Sequence, residues 1–321
     1  MTSAPSVKQC QLVHGSQRAV VVEVGAGLRS YHAGGRDIVD GYRREQRCDG
    51  GRGQLLIPWP NRIADGRYAF GGRDLRLAVN DPKTGSAIHG LTRTIAWSLA
   101  GSSPDMCTFA LDLLAQDGYP FHLGLEATYA LGADGLQVRI TAVNRGDAAC
   151  PYGAGAHPYV HLGDGALIDE ALLHVPAGAT LETDARGIPT GVEAPVETTA
   201  FDFRAPRRIG SLALDTPFTH LDRGGDGLAH ISLTAPTRDH GVVVWMDRNL
   251  PYAMIYSGDT LADAPRRRRG IAIEPMTCAP DAFNSGAGLI VLQPGTSHTS
   301  TWGIAPLEDP DEVAAAISLT S

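Results

Sequence analysis

Two stretches of the chain hold a titratable side chain where a strand-like sequence would not ordinarily keep one. In PYGAGAHPYVHL, His157 follows Gly153, Ala154, Gly155 and Ala156 and precedes Pro158. A proline disfavours helical angles at the residue before it. The imidazole therefore stands on a stiff, extended backbone among small neighbours, either as a satisfied core histidine or as a proton donor facing a pocket. In RGIAIEPMTCAPDAFNSG, Gly270, Ile271, Ala272 and Ile273 read as a buried strand with Glu274 at its end, before Pro275. A carboxylate is rarely buried unless it is paired or functional. Burial raises its pKa, which would poise it as a general base near neutrality.

Two further stretches could serve such a pair. In LLIPWPNRIADGRY, Pro58 and Pro60 flank Trp59, and Asn61 and Arg62 follow. Prolines this dense do not fit a central strand, so a stiff loop is expected. It would present a flat apolar face beside a charged fork. In GSAIHGL, His89 lies between Ile88 and Gly90. Histidines and a glutamate can also hold a metal. His161 lies four residues after His157, but in a strand-like context, so the spacing gives a metal little support and none is expected. No G-x-S-x-G elbow suggests a serine hydrolase, and no G-x-G-x-x-G opens a helix for a nucleotide.

The elements that must position these residues read as strands. Gly, Pro, Asn and Asp recur every ten or so residues, and the segments between them alternate or run apolar. RYAFGGRDLRLAV reads as a hairpin about Gly71-Gly72. In TYALGADGLQVRITAVN, Asp134-Gly135 separates two strands, with Leu136, Val138, Ile140 and Ala142 on one face. The clearest helical signal is DPDEVAAAISL, with Asp309 as N-cap and Pro310 at the first helical position. The expected fold is all-β: one domain over residues 1–321, a large antiparallel β-sandwich with few short helices.

The 321 residues carry a formal net charge of −8 and 43% hydrophobic residues, which suits a soluble globular protein and argues against a nucleic-acid partner. No apolar run reaches the roughly 18 residues of a membrane helix. The five cysteines, Cys10, Cys48, Cys107, Cys150 and Cys278, are scattered. That and the lack of an apolar leader at the N-terminus point to reduced thiols in the cytoplasm. The one charge run is Arg266 to Arg269, either a solvated loop or an anion subsite.

Taken in order, PWPNRIADGRYAFGG, AIHGL, GAHPYV, LDTPF and IEPMTCAPDAFN resemble the aldose 1-epimerase (galactose mutarotase) family, with wording nearest to a bacterial branch of it. The resemblance implies a supersandwich of the galactose mutarotase type and interconversion of the α and β anomers of a free aldose without a cofactor. It implies that His157 is the general acid on the ring oxygen and Glu274 the general base on the C1 hydroxyl, the carboxyl ionised and the imidazole protonated near pH 7. Arg62 and His89 would hold the sugar and polarise its ring oxygen, and Asp215 would bond its hydroxyls. Asn61 beside Arg62, and Trp59 or Tyr159 as stacking surfaces, complete the expected sugar contacts. The residues from Gly153 to Ala156 would give the substrate clearance. Many relatives of the branch carry an aspartate where this chain has His220. Two other readings go with the same fold. One is a mutarotase for a phosphorylated or sulfonated hexose, its anion met by Arg266 to Arg269 or by Arg43 and Arg44. The other is a non-catalytic carbohydrate-binding sandwich. In each the partner is a small sugar, with no nucleic acid or membrane, and the chain is a monomer or homodimer.

Overall fold

A computed structural model describes residues 8–163 and 165–313. Two antiparallel sheets dominate it, one of nine strands and one of eight. The nine-stranded sheet is built on the hairpin Leu123–Gly132 and Gly135–Asn144, extended by Ser297–Leu307 and Gly241–Met246. The period-two pattern of the sequence explains it: Leu136, Val138, Ile140 and Ala142 all point inward and are buried. The turn lies one residue earlier than Asp134-Gly135. Gly132 faces Gly135 across the ladder, so Ala133 and Asp134 form the loop. At the Arg67–Phe70 and Arg73–Arg76 hairpin, Gly71 and Gly72 form the loop as expected. Both have positive φ, 59° and 72°, which a two-residue primed turn requires.

The eight-stranded sheet positions the site. Its central strand is Ile271–Met276, flanked by Tyr252–Tyr256 on one side and by two short strands, Gly155–Ala156 and Tyr159–Val160, on the other. One continuous core takes side chains from both sheets, among them Val138 and Ile140 from one and Phe218, Ile255 and Ile273 from the other. The β-sandwich expectation is met. Among the described residues, helix is confined to short pieces such as Ala282–Ser285 and a 3₁₀ turn at Ala264–Arg266. Residues 310–313 are helical, and Asp309 Oδ1 accepts the N–H groups of Asp311 and Glu312 at 2.9 Å each. The rest of that predicted helix lies outside the described residues. All five cysteines are free thiols. Among the described residues no helix is long and apolar enough to cross a membrane.

Candidate active site

Glu274 does not end its strand; the strand runs through it to Met276. Strand alternation sends Ile271 and Ile273 into the inter-sheet core and Ala272 and Glu274 to the opposite face. Across the ladder, Gly155 faces Met276 and Tyr159 faces Ala272. The register between those two pairs therefore puts His157 opposite Glu274. The partner strand is broken at this point, between Ala156 and Tyr159. The N–H groups of Ile273 and Thr277 donate to Pro158 and Ala154. The N–H that proline lacks would fall between them, opposite Ala156, so this ladder goes without one bond there.

His157 is anchored through its backbone to the far side. Its N–H donates to Gln54 O at 3.0 Å and its carbonyl accepts from Gly53 N at 2.8 Å. The imidazole is thereby free to face the glutamate. His157 Nε2 and Glu274 Oε1 stand 3.1 Å apart, with the two side chains 5% and 3% exposed. Each keeps one buried polar atom without a partner, His157 Nδ1 and Glu274 Oε2. Burial pushes the Glu274 carboxyl well above the usual range, with Asp215 adding to the rise and Arg62 opposing it. Burial pushes the His157 imidazole down, helped by Arg93 and Arg52. Both directions favour a neutral imidazole beside a protonated carboxyl. The expected roles, an ionised Glu274 and a protonated His157, therefore run against the direction in which burial pushes both groups.

His89 joins the pair from a tight loop. Asn61 and His89 both take left-handed angles, φ 53° and 63°, and clasp each other. His89 N–H donates to Asn61 O at 2.8 Å, and Asn61 N–H donates to His89 Nδ1 at 3.2 Å. A ring nitrogen that accepts a backbone N–H carries no proton itself, so the neutral ring holds its proton on Nε2. Burial and the nearby His157, Arg93 and Arg62 keep His89 well below its ordinary pKa. It is a donor that does not titrate near neutrality. Asn61 Oδ1 accepts from Arg62 N–H at 2.9 Å, so Asn61 also sets the root of the arginine. Arg62 Nη2 stands 3.7 Å from Asp215 Oδ2, and Nε stands 3.7 Å from Asp81 Oδ2.

These groups line one cavity of about 340 Å³, which holds Asn61, Arg62, His89, His157, Asp215 and Glu274 in its wall. Of the eight residues expected to act, Trp59 lies elsewhere. It is 2% exposed, donates Nε1–H to Ala87 O, and meets Phe283 edge to face. Its apolar bulk fills the core and offers no face to a ligand. Tyr159 touches the cavity, but its ring stacks on His157 at 5.0 Å and carries the Arg52 guanidinium at 4.5 Å. With 2% exposure it braces the imidazole and cannot stack on a sugar. The clearance expected from Gly153 and Gly155 is also absent. A Cβ at Gly153 would meet Cys278 Sγ at 2.5 Å, and one at Gly155 would meet Pro60 Cβ at 2.9 Å. They are close-packing points. Gly50 and Gly51 do line the cavity, and sequence reasoning missed them along with Arg93 and Tyr256. The DGGRG stretch was the available signal. His220 pairs with Glu193 at the surface and lies outside the cavity wall.

His89, His157 and Glu274 each bring a donor atom within 4.8 Å of the others, a convergence the chain spacing did not foretell. A metal there would compete for the atoms of the His157–Glu274 contact and would sit beside Arg62 and Arg93, which line the same cavity. That charge disfavours a cation.

The family model of aldose 1-epimerase matches residues 8–305. The chain belongs to the aldose 1-epimerase family. It is 33% identical over 288 residues to the uncharacterised protein YihR of Escherichia coli strain K12, covering 89% of each chain. It is 27% identical over 261 residues to human galactose mutarotase, 75% of each. In fold it matches the GalM/aldose epimerase homologue of C. elegans with a TM-score of 0.82 at 19% identity, covering 94% of this chain and 99% of that one.

Proposed function

We propose that the protein is a mutarotase that interconverts the anomers of a free aldose, with His157 and Glu274 as its acid and base. The observation that carries this reading is the 3.1 Å contact between two buried, titratable groups in the wall of a sugar-sized cavity. Family membership and the likeness to galactose mutarotases support it.

Opening a hemiacetal removes a proton from the C1 hydroxyl and delivers one to the ring oxygen. The two oxygens share one carbon, so the base and the acid must be neighbours, as these two are. In the empty site burial favours a protonated Glu274 beside a neutral His157. Sugar hydroxyls bonded to the carboxylate, with Arg62 beside it, stabilise the ionised form. Sugar entry thus moves the proton to His157. His157 then protonates the ring oxygen, and Glu274 takes the C1 proton. The open-chain sugar is left facing the same neutral pair that the empty site favours. Rotation about C1–C2 and reversal of both transfers closes the ring on the other face. The His89 Nε2–H and the Arg62 guanidinium donate to the oxygen on which charge develops. Asp215 accepts from outer hydroxyls.

The arginines first considered for an anionic sugar do not favour that variant. Arg266 bonds Gly41 O and pairs with Asp40, and Arg268 pairs with Asp169 and Asp259. Neither these nor Arg43 and Arg44 line the cavity. A purely binding protein has no need of a buried proton pair. Exchange NMR between anomers of glucose, galactose and other aldoses tests the proposal. Acceleration of at least one aldose at micromolar protein is expected. Saturable sugar binding with no faster exchange on any aldose would make the protein a binder.

A further inference from the structure

A second cavity, of about 350 Å³, shares Arg93 with the sugar cavity. The segment that lends Gly50 and Gly51 to the first cavity lends Arg44 and Arg47 to the second, and Arg29 completes its wall. Four arginines thus gather with no carboxylate among the lining residues, in a chain of formal net charge −8. Two other inward-facing arginines, Arg52 and Arg268, meet acids. Arg52 pairs with Asp40 at 2.6 Å, and Arg268 pairs with Asp259 at 2.8 Å. Among the described residues, Arg29, Arg44, Arg47 and Arg93 have no carboxylate within 4.0 Å.

The two innermost are also short of neutral partners. Arg29 Nε and Arg93 Nε are buried without a hydrogen bond. Arg29 Nη1 reaches Tyr42 O at 3.3 Å, and Arg93 Nη1 reaches Gln54 Oε1 only at 3.5 Å. Both side chains are half-buried, and withdrawing a cation from water without a counter-charge is unfavourable. Guanidinium forks match the oxygens of a tetrahedral oxyanion. We propose that this cavity is an anion site that takes a phosphate-type group between Arg29, Arg44, Arg47 and Arg93.

The site adjoins the chemistry through Arg93. Its charge is one of the influences that keep His157 and His89 unprotonated. An anion seated on Arg93 would offset that charge and raise the proton affinity of His157, so occupancy would tune the proposed acid. That consequence rests on the mutarotase reading; the site itself does not.

Isothermal titration with inorganic phosphate, at ionic strength held constant with chloride, tests the site without any assay of catalysis. One saturable site is expected. The Arg44→Ala/Arg47→Ala double variant, altered only at exposed positions, should bind roughly tenfold to a hundredfold more weakly, since charge-assisted bonds are lost. Absence of saturable binding, or equal affinity in the double variant, overturns the proposal. A second arm with glucose 6-phosphate assigns the source. Competition with phosphate means that the group arrives on a sugar. Independent binding of the two, or none by the sugar phosphate, means that the site takes the free ion. Either result keeps the site.

Discussion

The two sheets meet in one core but solve different problems. The hairpin Leu123–Gly132 and Gly135–Asn144 pairs over its whole length without a register break, and its inward positions are apolar. The strand Ile271–Met276 is buried at every position, Glu274 included, and one of its neighbours is interrupted at His157-Pro158. The first arrangement maximises burial and ladder bonds. The second gives up ladder continuity and leaves polar atoms unpaired where chemistry needs them. Stability and activity should therefore respond to different substitutions.

The largest expected effect falls on the interrupted sheet. Glu274→Gln keeps the shape and removes the base. Anomer exchange should fall by about 10²–10⁴-fold, with the thermal midpoint close to that of the parent. Ile140→Ala should do the reverse. It opens a cavity in the regular hairpin and should cost about 2–5 kcal/mol in denaturant unfolding, while the rate per folded molecule stays nearly unchanged. A large rate loss in Ile140→Ala would break the division of labour between the sheets.

Smaller effects sharpen it. Gly51 has φ 74°, and a Cβ there would lie 2.8 Å from His157 Cδ2. Gly51→Ala should displace the imidazole and slow exchange by roughly 10- to 100-fold, at a stability cost of about 1–2 kcal/mol. Kinetics and unfolding on the same preparation check both. The smallest change is expected at Trp59. Trp59→Phe should leave KM within about twofold, because the ring packs in the core, and should lower stability by about 1 kcal/mol through the lost Nε1–H bond to Ala87 O. A several-fold rise in KM would return Trp59 to the sugar site.

Much of the molecule could be read from its sequence where periodicity or fixed turn chemistry governs. The Gly71-Gly72 hairpin and the inward face of Leu136, Val138, Ile140 and Ala142 are local patterns, and the structure carries them. The motif-bearing residues Arg62, His89, His157, Asp215 and Glu274 meet in one cavity. What could not be read depends on contacts between distant segments. Nothing local distinguishes the tightly packed Gly153 from the cavity-lining Gly51. Trp59 beside Arg62 looks like a sugar platform until Phe283 and Ala87 enclose it. The direction in which the pair is pushed depends on distant contacts too. Ordinary pKa values put the proton on histidine, and burial pushes both groups the other way. Arg93 escaped notice because it falls two residues past AIHGL; its position follows from the loop of residues 42–54 packing beside it.

The central claim is that His157 and Glu274 work as one proton-sharing unit. Exchange NMR on His157→Asn, Glu274→Gln and the double variant tests it directly. Groups that act as a unit lose their function together. The double variant should therefore exchange anomers about as slowly as either single variant. Losses that multiply in the double variant, or a single variant that keeps the parent rate on its best aldose, would contradict it.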